Sequence, residues 1–314
     1  MTRILITNDD GIDAAGLAPL ARRFRRAGLD PVIAAPASQS SGSSASIMAA
    51  QSDGRIRVER RELADAAGVP AHAVHAGPGL IALIAARGAF GEPPDVVLSG
   101  INHGANVGRA IVHSGTVGAA LTGGLHGSRA MAVSLDVGFA PGTFWWQSAV
   151  EVVDELLPYL MAEPAGTILN VNVPNIERPR GIVEAELAPF GIVQTTLAER
   201  DEHHISLAVE DLPNRPEPGT DAALLADGWA TVTSIASVSG VPLNALGRIA
   251  LAPQINLITR RDGERYNKVQ AYVDPFTLPG KALIDFEKRM AERNLRMPAG
   301  YRLQLGGEKE GSGE

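Results

Sequence analysis

The chain contains no cysteine among its 314 residues, which excludes several kinds of chemistry at once. Disulfides, a thiolate nucleophile and cysteine-ligated zinc all require that residue. Aromatic residues make up only 4% of the chain and charged residues 20%, whereas hydrophobic residues reach 45%. These proportions are typical of a globular protein rather than a disordered or fibrous one. We therefore expect one large folded domain or two smaller ones.

The chain also lacks an excess of positive charge and any long apolar run. Its formal net charge is -7 and its pI is about 5.6, so we expect no broad electrostatic attraction to nucleic acid or to an anionic membrane. No run approaches the roughly 18 apolar residues of a membrane span, and the first residues do not resemble a signal peptide. We predict a cytoplasmic protein that binds neither polymeric nucleic acid nor membranes.

Short apolar runs alternate with helical patterns along most of the chain. The runs are ILI after Arg3, PVIAAP (31–36), DVVLSG (95–100), RAMAVSL (129–135) and TILNVNVP (167–174). Strands that alternate with helices of about a dozen residues indicate crossover connections and a parallel sheet covered on both faces. The predicted fold class is therefore α/β, with a doubly wound, mostly parallel sheet.

Polar, glycine-containing segments follow the first three of these strands. They are Asn8-Asp9-Asp10-Gly11, the uncharged loop 37–44, and the segment 99–108 with its three glycines. Ligands of doubly wound sheets bind beyond the carboxyl ends of the strands, so we expect the three segments to converge. The chain has neither a GxGxxG after its first strand nor a GxxxxGK[ST] loop, so the two common nucleotide-binding loops are absent.

The converging side chains are oxygen donors: two carboxylates, a hydroxyl and an amide. Such a set, without a histidine cluster, suits Mg²⁺ or Mn²⁺. A divalent cation would also turn the repulsion between Asp9 and Asp10 into attraction. A helix predicted to begin at Ser114-Gly115-Thr116 offers free N–H groups and the positive end of its dipole, which together favour a phosphate. Arg109 is the nearest cationic side chain along the sequence.

Each segment also has a plain structural interpretation. An Asp-Asp-Gly turn often only caps a helix, a serine-rich loop is often a solvated connection, and the glycines of 99–108 fit an irregular loop. His113 is typical of a packed or exposed histidine as well as of an acid-base catalyst. The coincidence of all three loops at one edge of the sheet favours a functional site.

Five stretches in this order and spacing resemble the SurE family of metal-dependent nucleotidases over about residues 1–236. They are ILITNDDGIDAAGL, APASQSSGSSASI, PDVVLSGINHGANVG, HSGTVGAAL and ILNVNVP. The resemblance implies a phosphatase that acts on nucleoside monophosphates with one divalent metal, Mg²⁺ or Mn²⁺, per subunit. Some members of the family also trim short polyphosphate.

The resemblance further implies roles for particular residues. The metal ligands would be Asp9, Asp10, Ser41 and Asn102, with Ser40 as the alternative to Ser41. Asp9, Asp10 and Asn8 are the predicted catalytic residues, and the predicted phosphate-binding residues are Gly42, Asn106, Ser114, Gly115 and Thr116. The segment 219–235 resembles a strand region that relatives exchange between protomers, which implies a homodimer or homotetramer.

The chain departs from the family pattern in two places. Ala76-Gly77-Pro78-Gly79-Leu80 lacks the threonine and the acid that relatives carry. The family pattern therefore does not predict the shape of the substrate pocket in this chain. The chain also continues beyond the family pattern, and we predict an appended, β-rich strand-helix-strand segment over 237–314 with a disordered end. Its strands fall at 267–273 and 301–305, and Leu283, Phe286 and Met290 have helical spacing.

The words RRDGERYNKVQAYV and MPAGYRLQLGGEKEG in this tail resemble a fragment of the periplasmic porter region of resistance-nodulation-division efflux transporters. No membrane segment accompanies them, so we expect no transport role. Two other functions remain open for the first 236 residues. One is a receiver domain, which also uses an acidic pair and Mg²⁺ but needs an acceptor Asp after its third strand. The other is a catalytically inactive interaction module.

Overall fold

The structure, a computed structural model, comprises two compact units, residues 1–239 and 240–314. It describes residues 1–40, 42–49, 51–52, 54–138, 142–189, 193–200, 205–211, 216–238, 259–261, 264–266 and 279–292. No helix within these ranges combines the length and the apolar character that crossing a membrane demands.

The described elements alternate between strand and helix through the first unit. The strands are β1 Arg3–Thr7, β2 Asp30–Pro36, β3 Gln51–Ser52, β4 Arg55–Ile56, β5 Val58–Arg61, β6 Ala71–Val74, β7 Val96–His103, β8 Arg129–Asp136, β9 Ile168–Pro174, β10 Ile182–Glu184, β11 Val193–Arg200, β12 Ile205–Asp211, β13 Ala230–Ile235, β14 Thr259–Arg261 and β15 Glu264–Tyr266. The helices are α1 Leu17–Arg26, α2 Pro78–Ala85, α3 Gly115–Leu125, α4 Trp146–Ala162, α5 Asp221–Ala226 and α6 Pro279–Glu292. Ala64–Ala66 and Gly108–His113 form short 3₁₀ helices.

Nine strands form the main sheet, in the order β10-β13-β9-β8-β7-β1-β2-β6-β5. The five strands predicted from apolar runs are β9, β8, β7, β1 and β2, which lie side by side and are all parallel. Antiparallel pairs occur towards the margins, where β13 pairs with β9 and β5 pairs with β6. The predicted α/β class with a mostly parallel sheet is confirmed.

Helices cover both faces of the sheet. Because successive residues of a strand point to opposite sides, each central strand packs against helices on both faces. Ile4 and Ile6 of β1 pack in the cluster that holds the buried faces of α1 and α4. Leu5 packs in the other cluster, with residues of α2 and α3. This alternation makes the sheet doubly wound and buries it on both sides.

The strand order creates a crevice between β1 and β7. These neighbours leave the sheet in opposite directions, since β1 leads through α1 to β2 whereas β7 leads through α3 to β8. The carboxyl ends of two strands that diverge in this way are the usual ligand site of an open α/β sheet. Asp9 and Asp10 follow β1, and Asn102 and His103 end β7.

Three two-stranded antiparallel sheets complete the described strands. The pairs β3 with β4 and β11 with β12 belong to the first unit, and β14 with β15 belongs to the second. In the second unit α6 includes Leu283, Phe286 and Met290, in agreement with their helical spacing. The strands predicted at 267–273 and 301–305 lie outside the described residues.

Gly16 determines how closely the start of α1 approaches β7. Its φ of -70° and ψ of -20° are helical values that any residue adopts. A Cβ placed on Gly16, however, would lie 2.1 Å from the carbonyl oxygen of Ile101. Space alone therefore demands glycine here.

We predict that Gly16→Ala lowers the free energy of unfolding by about 1–3 kcal/mol, because the added methyl must push the backbone of β7 away. Urea unfolding measures this change. Gly142→Ala is the matched control, since no described atom lies within 4 Å of a Cβ placed there. Equal midpoints for the two variants would show that the close approach to Ile101 is not required.

Candidate active site

A cavity of about 640 Å³ opens at the carboxyl ends of β1 and β7. Its volume lies within the range of small-molecule sites in proteins. The wall includes six of the predicted site residues: Asp9, Asp10, Gly42, Asn102, Asn106 and Ser114. His113 also lines it. The three polar segments that follow β1, β2 and β7 therefore converge as predicted.

Asp9 is held against the start of α3. The hydroxyl of Thr116 donates to Asp9 Oδ1, and the backbone amides of Gly115 and Thr116 also face the carboxylate. Burial raises the pKa of Asp9 above its usual value, and these donors act in the opposite direction. A Cβ on Gly115 would lie 2.8 Å from Asp9 Oδ2, so only glycine permits this contact.

The three predicted phosphate-binding residues at the start of α3 differ in their access to the cavity. Thr116 is fully buried, and neither it nor Gly115 is part of the cavity wall. Ser114 does line the cavity, and its Oγ caps α3 by accepting from the amide of Val117 at 3.1 Å. The structure thus brings Ser114 to the cavity and places the next two residues behind Asp9.

Asp10 stands next to Asp9 and is partly exposed. Burial is the main reason that its pKa is raised, and the charge of Asp9 raises it further. The backbone amide of His103 donates to Asp10 Oδ2 at 3.2 Å and opposes the rise. Two neighbouring carboxylates with raised pKa values form a place where bound positive charge is favourable.

Asn8 supports the turn rather than the cavity. It is fully buried, its Nδ2 donates to Gly11 O at 3.0 Å, and its Oδ1 accepts from Gly11 N at 3.1 Å. Both polar atoms of the side chain are engaged with one residue, which fixes the turn that carries the two carboxylates. Asn8 is also absent from the wall of the cavity, unlike the other two predicted catalytic residues.

Asn102 and Asn106 reach the cavity from the segment after β7. Asn102 Nδ2 donates to Gly104 O at 2.8 Å, which orients the amide group. Asn106 is tied to the neighbouring strands, because its amide donates to Asn172 Oδ1 at 2.7 Å and its Nδ2 donates to Ser134 Oγ at 2.8 Å. Asn170 and Asn172 both donate to Asn106 O, at 2.9 and 2.8 Å.

The serine-rich loop packs beside Asp9. Ser40 N donates to Asp9 O at 2.7 Å, and Gly42 lines the cavity. Ser41, the predicted ligand between them, lies outside the described residues. Ser43 Oγ is buried without a hydrogen-bond partner, and a Cβ on Gly115 would lie 2.7 Å from it. The Ser43 hydroxyl oxygen, which has no hydrogen-bond partner, therefore lies close to the contact between Asp9 and α3.

Arg109 does not join this group. It is exposed and is the second residue of the short helix Gly108–His113. Its backbone amide donates to Ala188 O at 3.0 Å. Among the described residues no lysine or arginine lines the cavity. A bound anion would therefore need another source of positive charge.

The two aromatic side chains of the cavity wall that were not predicted from the sequence are Phe144 and Trp146. Phe144 lies just before α4, and Trp146 is the first residue of that helix. A signal was present, since FWW at 144–146 concentrates two of the three tryptophans of a chain that is poor in aromatic residues. The segment follows a strand of the parallel sheet, which is the position from which the other site residues were predicted.

The donor set fits a hard divalent cation. Within the described residues there is no cluster of three or more histidine, cysteine, aspartate or glutamate side chains, so a metal would have to combine the two carboxylates with other oxygen atoms. The Asn102 amide on the same wall and the unsatisfied serine hydroxyl beside Asp9 are of that kind. Carboxylate, amide and hydroxyl oxygens are ligands that Mg²⁺ and Mn²⁺ accept.

Comparison with known proteins agrees with this fold. The family described as "Survival protein SurE" matches residues 4–198. A protein named 5'-nucleotidase SurE from Rhizorhabdus wittichii is 36% identical over 251 residues, covering 74% of this chain and 92% of the relative. Its counterpart from Stenotrophomonas maltophilia is 34% identical over 242 residues, covering 74% and 89%.

A solved structure is similar as well. The crystal structure of the SurE protein from Aquifex aeolicus superposes with a TM-score of 0.61 at 26% identity, covering 74% of this chain and 93% of that one. Fold and cavity define an α/β protein with an acidic pair at the switch point of its sheet. The chain belongs to the SurE family. The family match ends at residue 198, so the resemblance of the tail to an efflux transporter stays a prediction.

We predict that Asp10→Asn stabilises the metal-free protein at pH 7. Because the pKa of Asp10 is raised in the folded chain, its ionisation costs folding free energy above the unfolded-state value, and asparagine removes that cost. The side-chain oxygen of the asparagine should still accept a hydrogen bond from His103 N, as Asp10 Oδ2 does. The gain should vanish as the pH falls below the ordinary aspartate pKa of 3.8, where Asp10 is neutral in both states.

Thermal unfolding in EDTA at pH 7 and at acid pH measures the effect. Asp13→Asn is the matched control, because Asp13 is an exposed carboxylate of the same loop, paired with Arg61 at 2.9 Å. A lower unfolding temperature for Asp10→Asn than for the wild type at pH 7 would contradict the raised pKa.

Proposed function

We propose that this chain is a nucleotidase, a phosphoric monoester hydrolase that uses a divalent metal to release phosphate from nucleoside monophosphates. The single observation that carries the proposal is the meeting of two carboxylates, the Asn102 amide and Ser114 around one cavity at the switch point of the sheet. The names of the relatives from Rhizorhabdus wittichii and Stenotrophomonas maltophilia point to the same reaction.

Asp9, Asp10 and Asn102 would hold the metal, with Ser41 as the predicted fourth ligand. The chain neighbours of Ser41 support this assignment, because Ser40 contacts Asp9 and Gly42 lines the cavity. A bound Mg²⁺ or Mn²⁺ supplies charge stabilisation for phosphoryl oxygens and lowers the pKa of bound water. The need for such a cation is strong here, since no described lysine or arginine reaches the cavity wall.

The remaining residues position the reactants. Ser114 at the start of α3 and Asn106 in the segment after β7 are the side chains that orient the phosphate, together with the backbone at Gly42. Gly115 and Thr116 act one step behind, by fixing Asp9. We assign contact with the attacking water to Asp10, because it is partly exposed whereas Asp9 is 6% exposed.

We predict that Asp9→Asn and Asp10→Asn each lower phosphate release from adenosine 5′-monophosphate by at least about a hundredfold. Each variant removes one of the two charges in a site with few ligands. The measurement is kcat/KM with added Mg²⁺ or Mn²⁺, and activity should also disappear in EDTA and return with metal. Asp13→Asn, the exposed control in the same loop, should retain wild-type activity.

Wild-type turnover by either variant would refute the ligand assignment. The same assay separates the two alternative functions. Repeated turnover supports the hydrolase, a single phosphoryl transfer to the chain supports a receiver domain, and neither outcome supports an inactive interaction module. The residues at the end of β7 are Asn102 and His103, which do not supply the acceptor aspartate of a receiver domain.

The assembly state and the tail belong to the proposal as well. We propose a cytoplasmic homodimer or homotetramer, on the basis of the resemblance of 219–235 to the exchanged strand region. In this chain the strand of that region, β13, pairs with β9 and β10. We also propose that residues 1–236 form the nucleotidase domain and that 237–314 are an appended segment.

We predict that removal of residues 240–314 changes kcat/KM by less than about threefold, because every described residue of the cavity wall belongs to the unit 1–239. Activity and oligomeric state of the shortened and full-length chains are compared at equal concentration. A shortened chain that is soluble but inactive would show that the second unit takes part in the site.

A further inference from the structure

An aromatic row occupies the part of the cavity wall that the reaction leaves unused. The rings of Phe144 and Trp146 stack, with centroids 5.6 Å apart and an interplanar angle of 10°. The ring of His103 lies 5.2 Å from that of Phe144, tilted by 45°. All three residues line the cavity. No role in phosphate chemistry follows from these rings, so a different part of a ligand must explain them.

The row has a fixed end and an open end. Trp146 begins α4 and packs against the core cluster on the α1 face of the sheet, which immobilises its ring. Phe144 stacks on this anchored ring, yet it is 41% exposed. A single exposed aromatic residue on a protein surface is ordinary. An exposed ring that is fixed from behind and borders a polar cavity is a preformed stacking surface.

His103 connects this surface to the acidic pair. Its backbone amide donates to Asp10 Oδ2 at 3.2 Å, while its ring contacts Phe144. The phosphate region and the aromatic row are therefore separated by a single residue. A mononucleotide has the same order of parts, with an anionic phosphate at one end, a sugar in the middle and a flat heterocycle at the other end.

We propose that Phe144, supported by Trp146, is the stacking subsite for the base of the substrate. This inference rests on the proposed function and deepens it, because it assigns the preference for nucleotides over simpler phosphomonoesters to named residues. Every base has a π face, so stacking tolerates different bases. The subsite therefore recognises a nucleobase in general, and the larger purines should bind more tightly than pyrimidines.

The test compares ligands with and without a base. Binding of adenosine 5′-monophosphate and of ribose 5-phosphate to the full-length protein is measured by calorimetry in the presence of Mn²⁺, using conditions in which any turnover is negligible. For the wild type we expect tighter binding of the nucleotide. Phe144→Ala should reduce the ratio of the two dissociation constants about tenfold.

Two further variants make the result specific. Phe144→Leu keeps apolar bulk against Trp146 but lacks a ring, so it should lose most of the same preference. Tyr159→Ala removes an aromatic side chain that is 68% exposed on α4, 13 residues beyond Trp146, and should leave the ratio unchanged. Circular dichroism of each variant verifies that the fold is retained.

Two results would overturn the inference: a wild-type protein without preference for the nucleotide, or a Phe144→Ala variant with an unchanged ratio of dissociation constants, including one that binds both ligands equally more weakly. The two levels of the proposal fail separately. Preference that depends on Phe144 without any phosphate release would refute the hydrolase and keep the stacking subsite. Phosphate release without such preference would do the reverse.

Discussion

The contact between Asp9 and the first turn of α3 is the interaction on which the site depends. Two adjacent carboxylates in a largely buried turn repel each other, and burial raises the pKa of both. The hydroxyl of Thr116 and the first amides of α3 offset part of this cost at Asp9 only. These donors favour the charged form of Asp9 and hold its side chain in place, whereas Asp10 remains partly exposed beside it. Positive charge beside this pair of carboxylates would be favourable.

The rest of the crevice follows from holding α3 close to that turn. Small residues permit the approach, since a Cβ on Gly118 would lie 2.2 Å from Ser44 O and one on Gly115 would meet Asp9. The serine-rich loop therefore packs directly against α3. On the other side, Asn170 and Asn172 share one face of β9 and fix the backbone of Asn106 through three hydrogen bonds. Polar side chains buried within a sheet need such partners.

Sequence patterns predicted the parts of this structure that are written locally. The five central strands are continuous apolar runs, as expected for strands buried on both faces, and the loops after them supplied Asp9, Asp10, Asn102 and Ser114. The marginal strands β5, β6, β10 and β13 were not predicted as strands from periodicity, because none of them is a long, continuous apolar run. The bond from Thr116 to Asp9 could not be read from spacing either, since it joins residues 107 positions apart.

The aromatic row shows a further limit of such reasoning. Connections between parallel strands are nearly always right-handed, and β7-α3-β8 and β8-α4-β9 run in the same direction along the sheet. The rule therefore predicts α3 and α4 on one face. Instead α4 packs with α1 on the opposite face, while α3 belongs to the other cluster. Phe144, just before α4, and Trp146, its first residue, line the cavity wall that His103 shares with the acidic pair. The position of the proposed stacking subsite thus belongs to a connection whose hand no local pattern encodes.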